Sequence, residues 1–358
     1  MSTTVYPNPD HFALVIGIDH YPQLRPLRAA VRDAARFSEW LVKPEGGGLP
    51  PDNITYIRSQ PLPPGTAALG AHPNQLDVTQ AMMDMHMHES RKLGKRLYFY
   101  FAGHGFGPNF QEVGMVLTNA SKTTLGFNLG LTLYREFFYE TALFDEVVYV
   151  IDCCRDPIRY VAPVGPAITF EKSNLPQVVK EFGVLGAAWG EEAFEVNALG
   201  DEPRGLLTQA VLEALDGIEG ARETNGSGNV TDQSLWRYVS SRVPELAVAS
   251  ALPQIQTPQS LPMGAPLVLT SILRASQQAT VNVLVLPGFV GKLVVLHPNA
   301  ATTLHSKTIA AGEVPEPWVL PLPAGYIYSI EVTPSAGDSA LVPIDTRNKA
   351  GQTVNVQL

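Results

Sequence analysis

Cysteine is almost missing from this chain: there are two copies in 358 residues, and they are neighbours, Cys153 and Cys154. Adjacent cysteines cannot staple a loop, because the local backbone forbids an unstrained disulfide between them. A disulfide-held secreted scaffold is thereby excluded, and both thiols are expected to be free. Charge is also sparse, with 16% Asp, Glu, Lys and Arg, a net charge of −9 and no long basic run. That balance argues against nucleic acid or an anionic membrane as a main partner and favours cationic ligands or peptides. No cationic leader precedes the first apolar run, Phe12 to Ile18, which His11 and Asp19 flank. The run is too short to span a bilayer and reads as a strand; with free thiols, a cytoplasmic location is expected. Glycine clusters such as Gly46-Gly-Gly48 lack phosphate-loop spacing, no acidic cluster has calcium-loop spacing, and no fixed-period repeat is visible. Neither a cofactor nor a metal is expected.

What is present is a globular composition, 45% hydrophobic, in a chain whose length suggests two domains. Phe12 to Asp19 has the continuous apolar texture of a central strand buried on both faces. Leu27, Ala30, Val31, Ala34, Phe37 and Leu41 recur at three- and four-residue steps and mark an amphipathic helix. Asp33 falls beside the Ala30/Phe37 edge of its buried stripe, an unusual place for a carboxylate. Further strands are read at Asn53 to Arg58, Leu97 to Phe101, Val147 to Ile151 and Val184 to Trp189. Helices are read at Gln75 to Lys92, Leu131 to Leu143, Gly205 to Leu215 and Thr231 to Val243, the last capped by Thr231 or Asp232. This alternation predicts a mostly parallel sheet covered by helices on both faces, an α/β domain over 1–265. Beyond it, Val281 to Leu286, Lys292 to His297, Trp318 to Leu322, Tyr326 to Glu331 and Thr353 to Leu358 are short strands between Pro/Gly turns. They predict an all-β, sandwich-like domain over 266–358.

Two strand ends carry chemistry. Val147-Val-Tyr-Val-Ile-Asp-Cys-Cys154 delivers a thiol to the sheet edge, and 50 positions before Cys154, Leu97-Tyr-Phe-Tyr-Phe-Ala-Gly-His-Gly105 delivers an imidazole between glycines. A thiol works as a nucleophile through its thiolate, so a neighbouring base is what this chemistry requires. The amides of Gly105 and Cys154 could together hold an oxyanion. Cys153, whose side chain alternates to the other side of the strand, reads as packing. His86 and His88, read as helical, point to opposed sides and are not expected to share a metal.

Ala102-Gly-His-Gly105 and Asp152-Cys-Cys-Arg155 resemble the histidine and cysteine motifs of the caspase-like cysteine peptidases, in particular their prokaryotic and metacaspase branch. Ile16-Gly-Ile-Asp19, Leu27 to Ala34 and Gly205-Leu-Leu-Thr208 add to the resemblance, which spans roughly residues 11 to 260. It implies a three-layer caspase-like fold, His104 as base and Cys154 as nucleophile of a peptidase. It also implies an acidic primary pocket built from Asp33 and Asp152 with Ala30 and Ala102 as small walls, hence cleavage after Arg, or Lys, in a protein or peptide substrate. Arg25 and Arg28 lie near enough to keep an acid-specific pocket open as an alternative. Trp189 either lines the groove beside the substrate or is an ordinary half-buried tryptophan. The loop from Arg155 to Lys180, with Arg159 and Lys172 between, is a candidate for self-cleavage. The resemblance further implies a regulated stress or antiviral-defence effector, a regulatory protein partner, and calcium activation as in many relatives. Where metacaspases continue past the cysteine with His-Ser-Gly, this chain has Arg155-Asp-Pro157, which motivates a second reading as an inactive binding scaffold.

Overall fold

A computed structural model describes the chain except for residues 1–5, 64, 90, 171, 173–178, 198–201, 219, 224–227, 263, 265, 272–277, 297–302, 315, 324–326, 347–348 and 350–351. It divides into two compact units, Met1–Ser271 and Ile272–Leu358.

In the first unit, strands β1 (His11–Gly17), β2 (Ile54–Arg58) and β3 (Gly94–Ala102) alternate with helices α1 (Ala30–Val42) and α2 (Gln75–Asp84). A small sheet of β4 (Gly105–Phe106), β5 (Gly114–Val116) and β6 (Asn128–Gly130) follows, then α3 (Leu131–Thr141), β7 (Phe144–Asp152) and β8 (Lys180–Leu185). The short pair β9 (Glu195–Asn197) and β10 (Pro203–Gly205) leads into α4 (Leu206–Leu215). β11 (Asn229–Thr231), α5 (Asp232–Ala249), β12 (Gln259–Ser260) and β13 (Val268–Ser271) close the unit. The central sheet runs β12-β8-β7-β3-β1-β2, parallel except for β12.

Alternation along these strands builds two cores. Leu14, Ile16, Phe99 and Phe101 face α2 and α3, while Ala13, Val15, Tyr98 and Tyr100 face α1, α4 and α5. Both faces of each strand are dry, which is why the strands read as unbroken apolar runs. Register then does the positioning: Gly17 pairs with Ala102, and Ala102 with Asp152, so three adjacent strands end level. At Gly17 a Cβ would meet Ala34 Cβ at 2.7 Å and Ala30 O at 2.8 Å, so the missing side chain lets α1 press against the end of β1.

The helix read as Gln75 to Lys92 stops at Asp84. His86 takes φ 59°, and the Met87 N–H donates to Met82 O, a left-handed helix stop that ordinarily uses glycine. His86 and His88 therefore sit in a turn, with His86 Nδ1 3.0 Å from Glu89. The last helix overruns its expected end at Val243 despite Pro244, because Leu246 and Ala247 continue its buried face, and Thr231 caps it in a reciprocal box with Ser234.

The second unit has β14 (Gln278–Leu284), β15 (Gly291–Leu296), β16 (Thr303–Ile309), β17 (Trp318–Pro323), β18 (Ile327–Pro334), β19 (Ala340–Asp345) and β20 (Thr353–Gln357). Sheets β17-β14-β20 and β16-β15-β18-β19 enclose one core that includes Val281, Val283, Leu293, Val295, Tyr328 and Ile330. The pairing is antiparallel except between β14 and β20. The expected strand ends His297 and Tyr326 lie outside the described residues.

Arg96 is 3% exposed and binds Glu146 across β3 and β7, together with the carbonyls of Val268 and Leu269. Replacing it by Met leaves the Glu146 carboxylate, 12% exposed, without its partner, which costs about 3 kcal/mol. Thermal unfolding of Arg96→Met should start roughly 10 °C lower, and Arg96→Met/Glu146→Leu should recover most of the loss.

Candidate active site

The level ends of β1, β3 and β7 open onto a cavity of about 340 Å³ whose lining includes Ala30, Asp33, Ala102, His104, Asp152 and Cys154. Helix α1 brings Asp33 and Ala30, β3 brings Ala102 and His104, and β7 brings Asp152 and Cys154. Six of the residues singled out in the sequence are therefore together.

At the floor, Asp33 and Asp152 are 2% and 8% exposed. Asp33 accepts from the Gly205 N–H at 2.6 Å and from Arg36 at 3.0 Å. Asp152 accepts from the Thr208 N–H at 3.0 Å and hydroxyl at 2.7 Å, so it caps the start of α4, which has no side-chain cap of its own. A Cβ on Gly205 would lie 2.5 Å from Asp152 Oδ2 and 3.0 Å from Asp33 Oδ2, so only glycine leaves room for both acids. Burial pushes Asp33 up to about 8, against its Gly205 and Arg36 bonds and with help from the Asp152 charge. Burial likewise pushes Asp152 up to about 6 against its two Thr208 bonds, and the Glu195 charge adds to the rise.

Above the floor, Tyr21 organises the imidazole. Its hydroxyl accepts the His104 N–H at 2.9 Å, donates to Val116 O at 3.3 Å, and its ring packs on the imidazole at 4.7 Å. His104 Nε2 lies 2.7 Å from the Arg25 carbonyl. A carbonyl only accepts, so the neutral ring carries its proton on Nε2 and Nδ1 is the basic nitrogen.

Cys154 is covered. The Ala193 N–H donates to Sγ at 3.3 Å, and the thiol donates to Ala193 O at 3.6 Å. Burial pushes this thiol up to about 12, against the Ala193 bond and with help from Asp156, Glu192 and Asp152. Cys153 is 2% exposed and packs in the core, where burial pushes its thiol up as well. A Cβ on Gly105 would meet Cys153 Sγ at 2.3 Å and Cys154 O at 2.6 Å, which places the Gly105 backbone directly against the cysteine pair.

Trp189 is not part of the cavity lining. Its indole N–H binds Gly107 O at 3.0 Å, its ring packs on Phe110 at 4.3 Å, and the Arg159 guanidinium sits 5.4 Å from it. Arg155, which departs from the metacaspase pattern, is 1% exposed and turned away from the cavity, bonded to Phe110 O at 2.7 Å and to Gln259. It is inaccessible to cleavage in the fold, and Lys180 opens a strand of the sheet, which leaves Arg159 and Lys172 as the exposed basic residues of that loop among the described ones. Sequence reasoning missed Tyr21, Ala193 and Glu195. Tyr21 carried a weak signal, as an aromatic just past a strand end; Ala193 and Glu195 carried none, since nothing in their spacing relates them to Cys154 or α1. Among the described residues, no group of three or more His, Cys, Asp or Glu side chains is placed to hold a metal ion, and no helix is long and apolar enough to cross a membrane.

This α/β sheet with its cysteine and histidine strand ends is that of a peptidase class: the profile of the caspase domain matches residues 10–260, and the chain belongs to that family. Among curated proteins, a probable protease of a Desulfuromonadales bacterium is 29% identical over 246 residues, 65% of this chain. The chain spans 29% of that relative's length. Among solved structures, caspase-1 from Spodoptera frugiperda is 14% identical, with a TM-score of 0.46 over 76% of this chain and 94% of that one. The pro form of the same caspase gives 11% identity and a TM-score of 0.40 over 72% and 93%.

A thiol at about 12 is protonated at neutral pH. Alkylation of Cys154 by iodoacetamide in the resting protein should climb steadily from pH 6 to 9, about tenfold per unit, with Cys153 unlabelled by mass mapping. A plateau at pH 7 would mean a preformed thiolate and contradict this geometry.

Proposed function

We propose that the chain is a cysteine endopeptidase that cleaves after Arg, or Lys, using Cys154 and His104. The observation that carries the specificity is the pair of buried carboxylates, Asp33 and Asp152, at the floor of the cavity that Cys154 and His104 also line. Two dehydrated acids that burial makes harder to ionise, against their own hydrogen bonds, gain most from a cationic guest. Arg25 and Arg28, which would favour an acidic guest, also line the cavity, but they are exposed where the two acids are buried. The family and the bacterial probable protease support a protease.

In this reading Nδ1 of His104 takes the Cys154 proton as substrate displaces Ala193 from Sγ. The thiolate forms a C–S bond to the peptide carbonyl, and the oxyanion faces the amides of Gly105 and Cys154. The tetrahedral adduct collapses with C–N cleavage, His104 gives its proton to the leaving amine, and water activated by His104 hydrolyses the thioester. Calcium dependence, a regulatory partner and a stress or defence role rest on the family resemblance, whereas self-cleavage after Arg159 or Lys172 rests on their charge and exposure in that loop and a cytoplasmic setting on the two free thiols.

The direct test uses fluorogenic peptides ending in Arg, Lys and Asp, with and without calcium. Arg and Lys peptides should be cut and Asp peptides spared, Cys154→Ala should lower the rate by roughly 10³-fold or more, and Cys153→Ala should leave it largely intact. Preference for Asp would overturn the pocket assignment; activity surviving in Cys154→Ala would overturn the nucleophile.

The pocket acids also set a pH signature. Both are raised in the empty fold, so each favours folding most below its unfolded value, and that contribution is lost as pH rises through about 6 for Asp152 and about 8 for Asp33. A cation binds the ionised acids and releases their protons, so KM for Arg peptides should fall between pH 6 and 8 and stay flat in Asp33→Asn. The same window should show the empty protein losing thermal stability and an arginine-ended peptide aldehyde restoring it.

A further inference from the structure

The arm between β4 and β5, residues 107–113, carries an aromatic ring that no step of the proposed reaction uses. Phe110 stands on it 73% exposed. A solitary exposed ring on a surface loop is ordinary. This one is held from below: its carbonyl accepts from the buried Arg155 guanidinium at 2.7 Å, and Asn109 Oδ1 accepts the N–H groups of Gln111 and Glu112 at 2.8 and 3.0 Å. The backbone under an exposed apolar side chain is thus fixed from inside the protein.

Trp189 packs against Phe110, with ring centroids 4.3 Å apart and planes at 44°. Both are stitched to the segment that carries the nucleophile. The Trp189 indole N–H donates to Gly107 O at 3.0 Å, and the Gly107 N–H donates to Asp156 O at 2.8 Å. The Gly190 N–H donates to Arg155 O at 2.9 Å, and the Arg155 N–H to Glu191 O at 3.0 Å. A Cβ on Gly107 would lie 2.7 Å from Trp189 Cδ1, so glycine is what lets the indole come this close to the arm. The aromatic pair therefore keeps a fixed position relative to Cys154, yet neither ring lines the acidic cavity.

Asp152, two residues before Cys154, belongs to the cavity floor, whereas Asp156, two residues after it, pairs with Phe106 at the root of the arm. With a basic side chain in the floor and its carbonyl at Cys154, His104 has to protonate the leaving nitrogen. The leaving segment then departs over the strand and arm that begin at His104, toward Phe110 and Trp189. The Arg159 guanidinium sits 5.4 Å from the Trp189 ring and repels a second cation there. A neutral ring suits the place better, because aromatic pairs gain more than their buried area alone supplies.

Building on the proposed cleavage after basic residues, we infer that Phe110 and Trp189 form an apolar subsite on the leaving side, holding an aromatic side chain at one of the first two residues after the scissile bond. Because the arm is pinned by Arg155, little ordering is required when the guest arrives.

The test uses internally quenched peptides with the same Arg before the bond and Ala-Ala, Phe-Ala, Ala-Phe or Lys-Ala after it, with the cut bond checked by mass and thermal unfolding run in parallel. Wild type should cut the better Phe peptide about tenfold more efficiently in kcat/KM than Ala-Ala, and Lys-Ala no better than Ala-Ala. In Phe110→Ala that ratio should fall to within about threefold of unity, with Phe110→Leu keeping part of it and the unfolding temperature unmoved, since the ring is exposed. Wild-type rates indifferent to the ring, a ratio that survives Phe110→Ala, or Lys-Ala as the best peptide would each overturn the inference and leave cleavage after Arg standing. Equal losses on the Phe and Ala peptides with a lowered unfolding temperature would make the pair a strut for the arm and overturn it as well. A wild type that cuts none of the four sinks the proposed function and this inference with it.

Discussion

Two carboxylates share one dehydrated place, and the surrounding elements are arranged to make that tolerable. Asp33 comes from α1, Asp152 from the end of β7, and the donors that hold them, Gly205 and Thr208, come from the start of α4. Such a pair is stable only with protons, backbone donors or a cation, because burial penalises each ionised form and each charge penalises the other. Gly205 is the hinge of the arrangement, since any side chain there would collide with both acids. Asp152 also caps α4, so a residue proposed to choose the substrate is tied to the integrity of the fold.

The rest of the site follows from sheet register. Three parallel strands ending level put an imidazole and a thiol at the same edge, on strands buried on both faces. The floor is set by those strands, while Tyr21 and Ala193 arrive on connections between elements and Glu195 opens the short strand β9. Tyr21 holds both the backbone and the ring of His104, and the Arg25 carbonyl sets its tautomer, so the base is oriented from two sides before any substrate is present.

Much of this is legible in the sequence because it is written in short-range pattern. Runs such as Phe12 to Ile18 and Leu97 to Phe101 announce doubly covered strands, and the two strand ends announce the nucleophile and base candidates. Asp33 stands out as an acid on the edge of an apolar stripe. The illegible parts are made by long-range contact. Glu195 reaches α1 from 166 or more positions away, and Ala193 reaches Cys154 across 39. Arg155, read as a possible cleavage point from its charge, is absorbed by partners on β12 and the arm before β5, which local pattern does not encode. The early stop of α2 at His86 escapes because a histidine does there what a glycine ordinarily does. Strands β16 and β19 escape because their exposed, mixed faces lack the apolar run that marked their neighbours.

The clasp of Ala193 on Cys154 bears on how long the protein keeps its reactive atom. Peroxide and other oxidants attack thiolates, and a thiolate once taken past sulfenic acid is lost. A thiol that is protonated near neutrality and bridged by a backbone N–H and C=O is a poor target for them. The same two hydrogen bonds that a substrate has to displace thus act as a preservative, allowing a resting molecule to wait in an oxidising episode and emerge with its sulfur intact.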